Sequence, residues 1–165
     1  MPELYLMRHA KSAWNQPGVK DHDRTLTAQG VERTQKIISF IKLQQINFDL
    51  IISSTATRAK NTAIIMASGL DYDSNKIMTE KSLYDTDRDS YFEVLEMIPG
   101  SVQRVLLVAH NPTISEFFLT FSSFPVEQFI PTSGVVGLHL NCKNWSEIRK
   151  ADVSLKFIIF PKMLI

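Results

Sequence analysis

Four residues define the chemistry open to this chain: Arg8, His9, Arg58 and His110. Arg8 and His9 close the apolar run Leu4-Tyr5-Leu6-Met7, and His110 closes the run from Arg104 to Ala109. Arg58 follows a third run, Phe48-Asp49-Leu50-Ile51-Ile52, and its polar exit Ser53-Ser54-Thr55. Two guanidiniums stay charged at physiological pH and can fork onto the oxygens of a phosphoryl group. Helix starts after Ser54 and His110 would add amide donors, so the set favours a phosphate dianion. A neutral histidine beside that dianion has a nitrogen lone pair able to attack phosphorus, and the phosphohistidine so formed is readily hydrolysed in a second step. The other histidine can stabilise charge on the transferring group. Arg and His protons take the part a metal ion would otherwise play, so neither a metal nor a cofactor is expected.

These residues meet only if the strands that carry them are parallel neighbours. The short apolar runs read as buried strands. Thr27 can cap a helix running toward Gln45, with Val31, Ile38 and Ile41 sharing a face and Thr34 and Lys42 between them. Further helices are expected from Thr57 to about Leu70, from Ser90 to Met97 before Pro99-Gly100, and from Pro112 through Leu119, with a short strand from Lys76 to Thr79. Val135 to Leu140 and Val153 to Phe160 read as strands with antiparallel pairing. The alternation predicts a three-layer α/β fold, a mostly parallel central sheet with helices on both faces, as one domain over residues 1–165. In such sheets ligands bind beyond the carboxyl ends of the strands, where Arg8-His9, Ser53 to Arg58 and His110-Asn111 all fall.

Composition narrows the classes. At 165 residues and 44% apolar, the chain can build one buried core. Its formal charge of +1 argues against a dedicated nucleic-acid binder or a polybasic membrane segment. The single Cys142 excludes an intramolecular disulfide and a multi-cysteine zinc site, which makes a reducing, cytoplasmic setting the expectation. Charged residues interrupt every apolar run well before the roughly 18 residues of a membrane span, so neither anchor nor signal peptide is expected.

Four stretches carry a resemblance: Leu6-Met7-Arg8-His9-Ala10-Lys11-Ser12-Ala13-Trp14-Asn15, Leu26-Thr27-Ala28-Gln29-Gly30, Ser53 through Ala63, and Val108-Ala109-His110-Asn111-Pro112. In order and approximate spacing they resemble the histidine phosphatase superfamily, also called phosphoglycerate mutase-like. Arg-His-Ala-Lys-Ser with Ala-His-Asn-Pro is most similar to its short SixA-type phosphohistidine phosphatase branch. So is the tail, Pro131-Thr132-Ser133-Gly134-Val135-Val136 with Phe160 to Leu164. The resemblance implies a phosphoglycerate mutase-like fold and a metal-independent phosphatase working through a phosphohistidine. It implies His9 as nucleophile, Arg8 and Arg58 on the phosphate, His110 as the late histidine, and Ser12 and Asn15 as substrate contacts. Ala10, Thr55 and Ala109 depart from the family's usual Gly, Pro and Gly, each a small change. Larger relatives supply a carboxylic acid to the leaving group; Asp85 is the local match and Glu80 its rival.

A phosphohistidine needs less protonation than an alkyl phosphate, and the short stretch between Lys76 and Pro99 leaves room for no large lid. Both features point to a phosphorylated protein bearing phosphohistidine as substrate. A small phosphorylated metabolite, hydrolysed with Asp85 as acid, is the alternative, and a silent phosphate-binding adaptor a further one.

Other residues have plainer readings. His22 sits in the charged loop Lys20-Asp21-His22-Asp23-Arg24, which reads as solvated rather than metal-binding, though the loop from Gln16 to Arg24 can bear on substrate choice. His139 reads as an ordinary strand residue and Cys142 as an inert thiol. Phe117, Phe118, Phe121 and Phe124 read as core, with Phe121 and Phe124 the candidates for a partner surface.

Overall fold

The computed structural model describes residues 1–121 and 130–165. Six strands form one sheet: β1 (Glu3–Arg8), β2 (Leu50–Ser54), β3 (Met78–Glu80), β4 (Arg104–Ala109), β5 (Val135–Asn141) and β6 (Asp152–Ile159). Their order is β3-β2-β4-β1-β5-β6. The first four are mutually parallel, while β5 runs antiparallel to β1 and β6 antiparallel to β5. This is the mostly parallel α/β sheet expected of a phosphoglycerate mutase-like chain.

Alternation along the central strands explains the three layers. Leu4 and Leu6 of β1 with Val105 and Leu107 of β4 point to one face, where α3 (Arg88–Glu96) and α4 (Thr113–Phe121) pack through Tyr91, Leu95, Ile114 and Phe117. Tyr5 and Met7 with Leu106 and Val108 point to the other, against α1 (Ala28–Leu43) and α2 (Thr57–Gly69). Parallel strands covered on both faces need apolar residues at every position, which is why β1 and β4 read as continuous hydrophobic runs.

Helix starts are fixed locally. The Thr27 hydroxyl accepts from the Gly30 amide at 3.0 Å and caps α1. The buried face of α1 is Gly30, Thr34, Ile37, Ile38 and Ile41, which corrects the expected stripe at two places. Val31 is only half-buried, and Thr34 turns inward because its hydroxyl meets the Gly30 carbonyl at 2.8 Å and Ser133 Oγ at 2.9 Å. Helix α4 starts at Thr113 rather than Pro112; the Pro112 carbonyl instead accepts from the Glu116 amide at 3.0 Å. The short strand after α2 is displaced to Met78–Glu80, since Ser74–Lys76 forms a 3₁₀ turn.

The segment between β1 and α1 folds back on itself. Ala13 donates to the Thr25 carbonyl at 2.8 Å, Ser12 bridges Leu26 in antiparallel fashion, and Thr27 donates to the Lys11 carbonyl at 2.9 Å. Gly30 is required at that junction, because a Cβ there would collide with the Lys11 backbone. No helix among the described residues is long and apolar enough to cross a membrane.

Candidate active site

The register of β1 on β4 pairs Arg8 with Ala109, so His9 and His110 leave the sheet side by side. The His9 amide donates to the Ala109 carbonyl at 3.0 Å, and the two imidazoles lie 5.1 Å apart between ring centres. Arg58 arrives from the first turn of α2, whose start is held by the Ala56 amide donating to Ser54 Oγ at 3.1 Å. A further tie crosses from β1 to α2, where the Ala10 amide donates to Thr62 Oγ1 at 2.9 Å. The structure thus brings Arg8, His9, Arg58 and His110 to one rim.

Protonation follows from partners. His9 Nδ1 lies 2.7 Å from the Ala10 carbonyl, an acceptor only, so Nδ1 carries the proton and Nε2 keeps its lone pair. Burial pushes the His9 pKa down to about 3; the Ala10 carbonyl opposes the shift, while the charges of Arg58, Arg8 and Arg24 add to it. His110 Nε2 meets Ser54 Oγ at 2.7 Å. The same oxygen accepts from the Ala56 amide, so the Ser54 hydroxyl ties the His110 ring to the start of α2. Burial, then the His9 and Arg58 charges, hold His110 at about 3 as well. Both rings are neutral at pH 7.

Among the described residues, the buried side-chain atoms without a hydrogen-bond partner are Arg8 Nε, Arg58 Nε and His110 Nδ1. Unpaired buried polar atoms are costly, and the three residues line one cavity. An oxyanion is the kind of group that supplies several acceptors to such a cluster at once.

The loop expected to be solvated reaches into this site. A 3₁₀ turn at Asp21–Asp23 sets Asp21 against Arg58, whose Nη1 donates to the Asp21 carbonyl at 2.7 Å and whose Nη2 donates to Oδ2 at 3.2 Å. Tyr84 donates to the same Oδ2 at 2.7 Å, and Arg24 Nε donates to Oδ1 at 3.1 Å. The Tyr84 hydrogen bond, then Arg58 and Arg24, lower the Asp21 pKa to about 2 against the effect of burial. Arg24 is buried, and its Nη1 donates to Ser12 Oγ at 2.7 Å. His22 Nε2 meets Thr55 Oγ1 at 3.0 Å, and its ring stands edge-on to Tyr84.

Two cavities meet at Arg58, His110 and Asp21. One, of about 200 Å³, is lined by Arg8, His9, Ser12 and Trp14 besides those three. The other, of about 570 Å³, adds Tyr84, Asp85 and Thr86. Ser12 therefore lies at the site with its hydroxyl engaged by Arg24. Asn15 is exposed and is not among the residues lining either cavity. Asp85 is exposed at the mouth in the left-handed region, φ 49°. Glu80 lines a separate cavity between β3 and α3 with Met78 and Val94.

The remaining residues fall elsewhere. His139 is half-exposed on β5, 3.6 Å from Glu3 Oε1, and burial raises the Cys142 thiol pKa. Phe117 and Phe118 are core; Phe121 packs on Phe92 and Phe117, and Phe124 lies outside the described residues. Sequence reasoning missed Asp21, Arg24 and Tyr84 as partners of the site. The signal available was the density of charge in Lys20 to Arg24, just after the strand that ends in Arg-His.

The histidine phosphatase superfamily (branch 1) family model matches residues 4–103, from the first strand to the approach of β4. The chain belongs to this superfamily. SixA from Agrobacterium tumefaciens is 28% identical with a TM-score of 0.80, covering 96% of this chain and 97% of its own. The full-length likeness is therefore to the SixA-type branch. A protein histidine phosphatase SixA complexed with tungstate shares the fold at a TM-score of 0.83 and 18% identity, over 98% of both chains. The fold also extends to a mycobacterial glucosyl-3-phosphoglycerate phosphatase, at 0.67 and 14% over 94% of this chain and 97% of that one. The likeness in fold thus spans phosphatases named for quite different substrates.

Proposed function

We propose that this histidine phosphatase acts without a metal ion, through a phosphohistidine at His9, on phosphohistidine carried by another protein. The observation that supports the nucleophile most is the His9 Nδ1 proton donated to the Ala10 carbonyl, which leaves the Nε2 lone pair free. In the first step Nε2 bonds to phosphorus as the P–N bond of the substrate breaks. A substrate ring protonated on its other nitrogen leaves as neutral imidazole and takes no proton from the enzyme. Arg8, Arg58 and His110 donate to the phosphoryl oxygens, where charge builds. In the second step water attacks phosphorus, the Nε2–P bond breaks, and dihydrogen phosphate leaves with neutral His9 restored.

Phosphohistidine is favoured because the carboxylate inside the site, Asp21, is held ionised by Tyr84, Arg58 and Arg24 and has no proton to give, while Asp85 is exposed at the cavity mouth. A second reading, hydrolysis of a small phosphomonoester, draws on that same residue, since an alkoxide leaving group needs an acid and Asp85 shares a cavity with Arg58 and His110. The test follows phosphate release from a phosphorylated histidine phosphotransfer domain and from an aryl phosphate, for wild type, His9→Ala and Asp85→Asn. Fast release from the phosphodomain, lost in His9→Ala, kept in Asp85→Asn and unaffected by chelator, is the expected result. Efficient ester hydrolysis that falls in Asp85→Asn, without phosphohistidine turnover, would establish the second reading instead.

A further inference from the structure

Beside the catalytic cavity lies a larger one, about 610 Å³, lined by Arg33 and Lys36 of α1, Pro131 and Thr132 ahead of β5, and Phe160 to Lys162 with Leu164. Thr132 lines both cavities, so the groove adjoins the phosphate site. Its floor is apolar, with Phe160 and Pro161 buried, and its charged lining is Arg33, Lys36 and Lys162. None of these three cations pairs with a described carboxylate, and no acidic side chain is among the described residues of the lining. The chain as a whole is nearly balanced, 18 basic residues against 17 acidic, so three cations with no carboxylate partner among the described residues are a local concentration around this groove.

The cations do not serve the reacting phosphoryl group, because Arg33, Lys36 and Lys162 do not line the cavity that holds His9. A groove with an apolar floor and a basic rim, running away from a phosphate site, fits an acidic surface continuous with the phosphorylated residue. We infer that this groove docks an acidic patch of the phosphohistidine-bearing protein, a conclusion that rests on the substrate proposed above. Complementary charge of this kind acts mainly on encounter and register, and so on apparent affinity.

The experiment compares wild type with the double variants Lys36→Glu/Lys162→Glu and Lys36→Gln/Lys162→Gln. Three substrates are used: a phosphorylated histidine phosphotransfer domain, free phosphoimidazole and an aryl phosphate. Charge reversal is expected to raise KM for the phosphodomain about tenfold with kcat unchanged, and neutralisation to raise it by less. KM for the two small substrates should stay within about twofold, and the wild-type rise of KM with salt should flatten in the variants. Wild-type turnover of the phosphodomain with unchanged KM in both variants would overturn the docking surface and leave the substrate reading standing. An equal loss on phosphoimidazole would assign the groove to a small anion and overturn it too. Wild type that cleaves the aryl phosphate but neither phosphohistidine substrate would refute the substrate reading, and the docking inference with it.

Discussion

Lowering the pH should unfold this protein through its two buried imidazoles, His9 and His110, and the size of the effect follows from their burial. His9 and His110 are 6% and 8% exposed, and each has its pKa lowered from 6.5 in the unfolded chain to about 3 in the folded one. A depressed folded-state pKa means that the unfolded chain binds the proton first. The stability of the neutral pair is therefore complete above about pH 6.5 and drains away as pH falls toward 3, by about 1.4 kcal/mol per pH unit for each ring. Between pH 7 and pH 5 each histidine then costs about 2 kcal/mol, and the two together about 4 kcal/mol. That is a large fraction of the 5–15 kcal/mol of a typical domain. His9→Asn keeps a donor toward the Ala10 carbonyl, and His110→Gln keeps a polar nitrogen toward Ser54, so both variants should fold. Urea unfolding at pH 7, 6 and 5 in phosphate-free buffer should show the wild-type decrease reduced by about half in each variant. Identical pH dependence in wild type and both variants would refute the claim that these rings are buried neutral.

Asp21→Asn leaves Arg58 without its anionic partner. Inhibition by inorganic phosphate should tighten while kcat falls roughly tenfold as Arg58 loses its aim, measured by steady-state kinetics with an aryl phosphate; an unchanged kcat would remove Asp21 from the positioning of Arg58. Tyr84→Phe removes a single hydrogen bond to the same carboxylate and should give the same change in weaker form in that assay. Gly30→Ala forces a methyl group onto the Lys11 backbone and should cost about 2 kcal/mol, read as a fall in Tm of roughly 4–8 °C by calorimetry.

Much of the architecture was legible in the sequence because parallel strands buried on both faces leave a strong trace. β1, β2 and β4 announce themselves as apolar runs, and their polar exits mark one edge of the sheet. Given parallel order, the meeting of Arg8, His9, Arg58 and His110 followed from topology. Periodicity misread α1 at Thr34, since a hydroxyl can be buried once Gly30 and Ser133 satisfy it. The loop from Gln16 to Arg24 was illegible for another reason. Its charges look solvated one by one, and only the distant Arg58 and Tyr84 reveal why Asp21 turns inward. Asn15, close in sequence to His9, shows the converse: proximity along the chain did not carry its side chain into either cavity.

The place of β1 has a consequence for how the protein comes into being on the ribosome. The strand that ends in Arg8 and precedes His9 is made before both of its neighbours in the sheet, β4 and β5, from residues 104–109 and 135–141. A nascent chain therefore holds His9 with no strand on either side until β4 is made. β2 and β3 can pair meanwhile, but the phosphate site cannot close around His9 until β4 is made. Chains truncated before β4 should be catalytically silent and should present Leu4 to Met7 as an uncovered apolar segment, a feature that holding chaperones recognise.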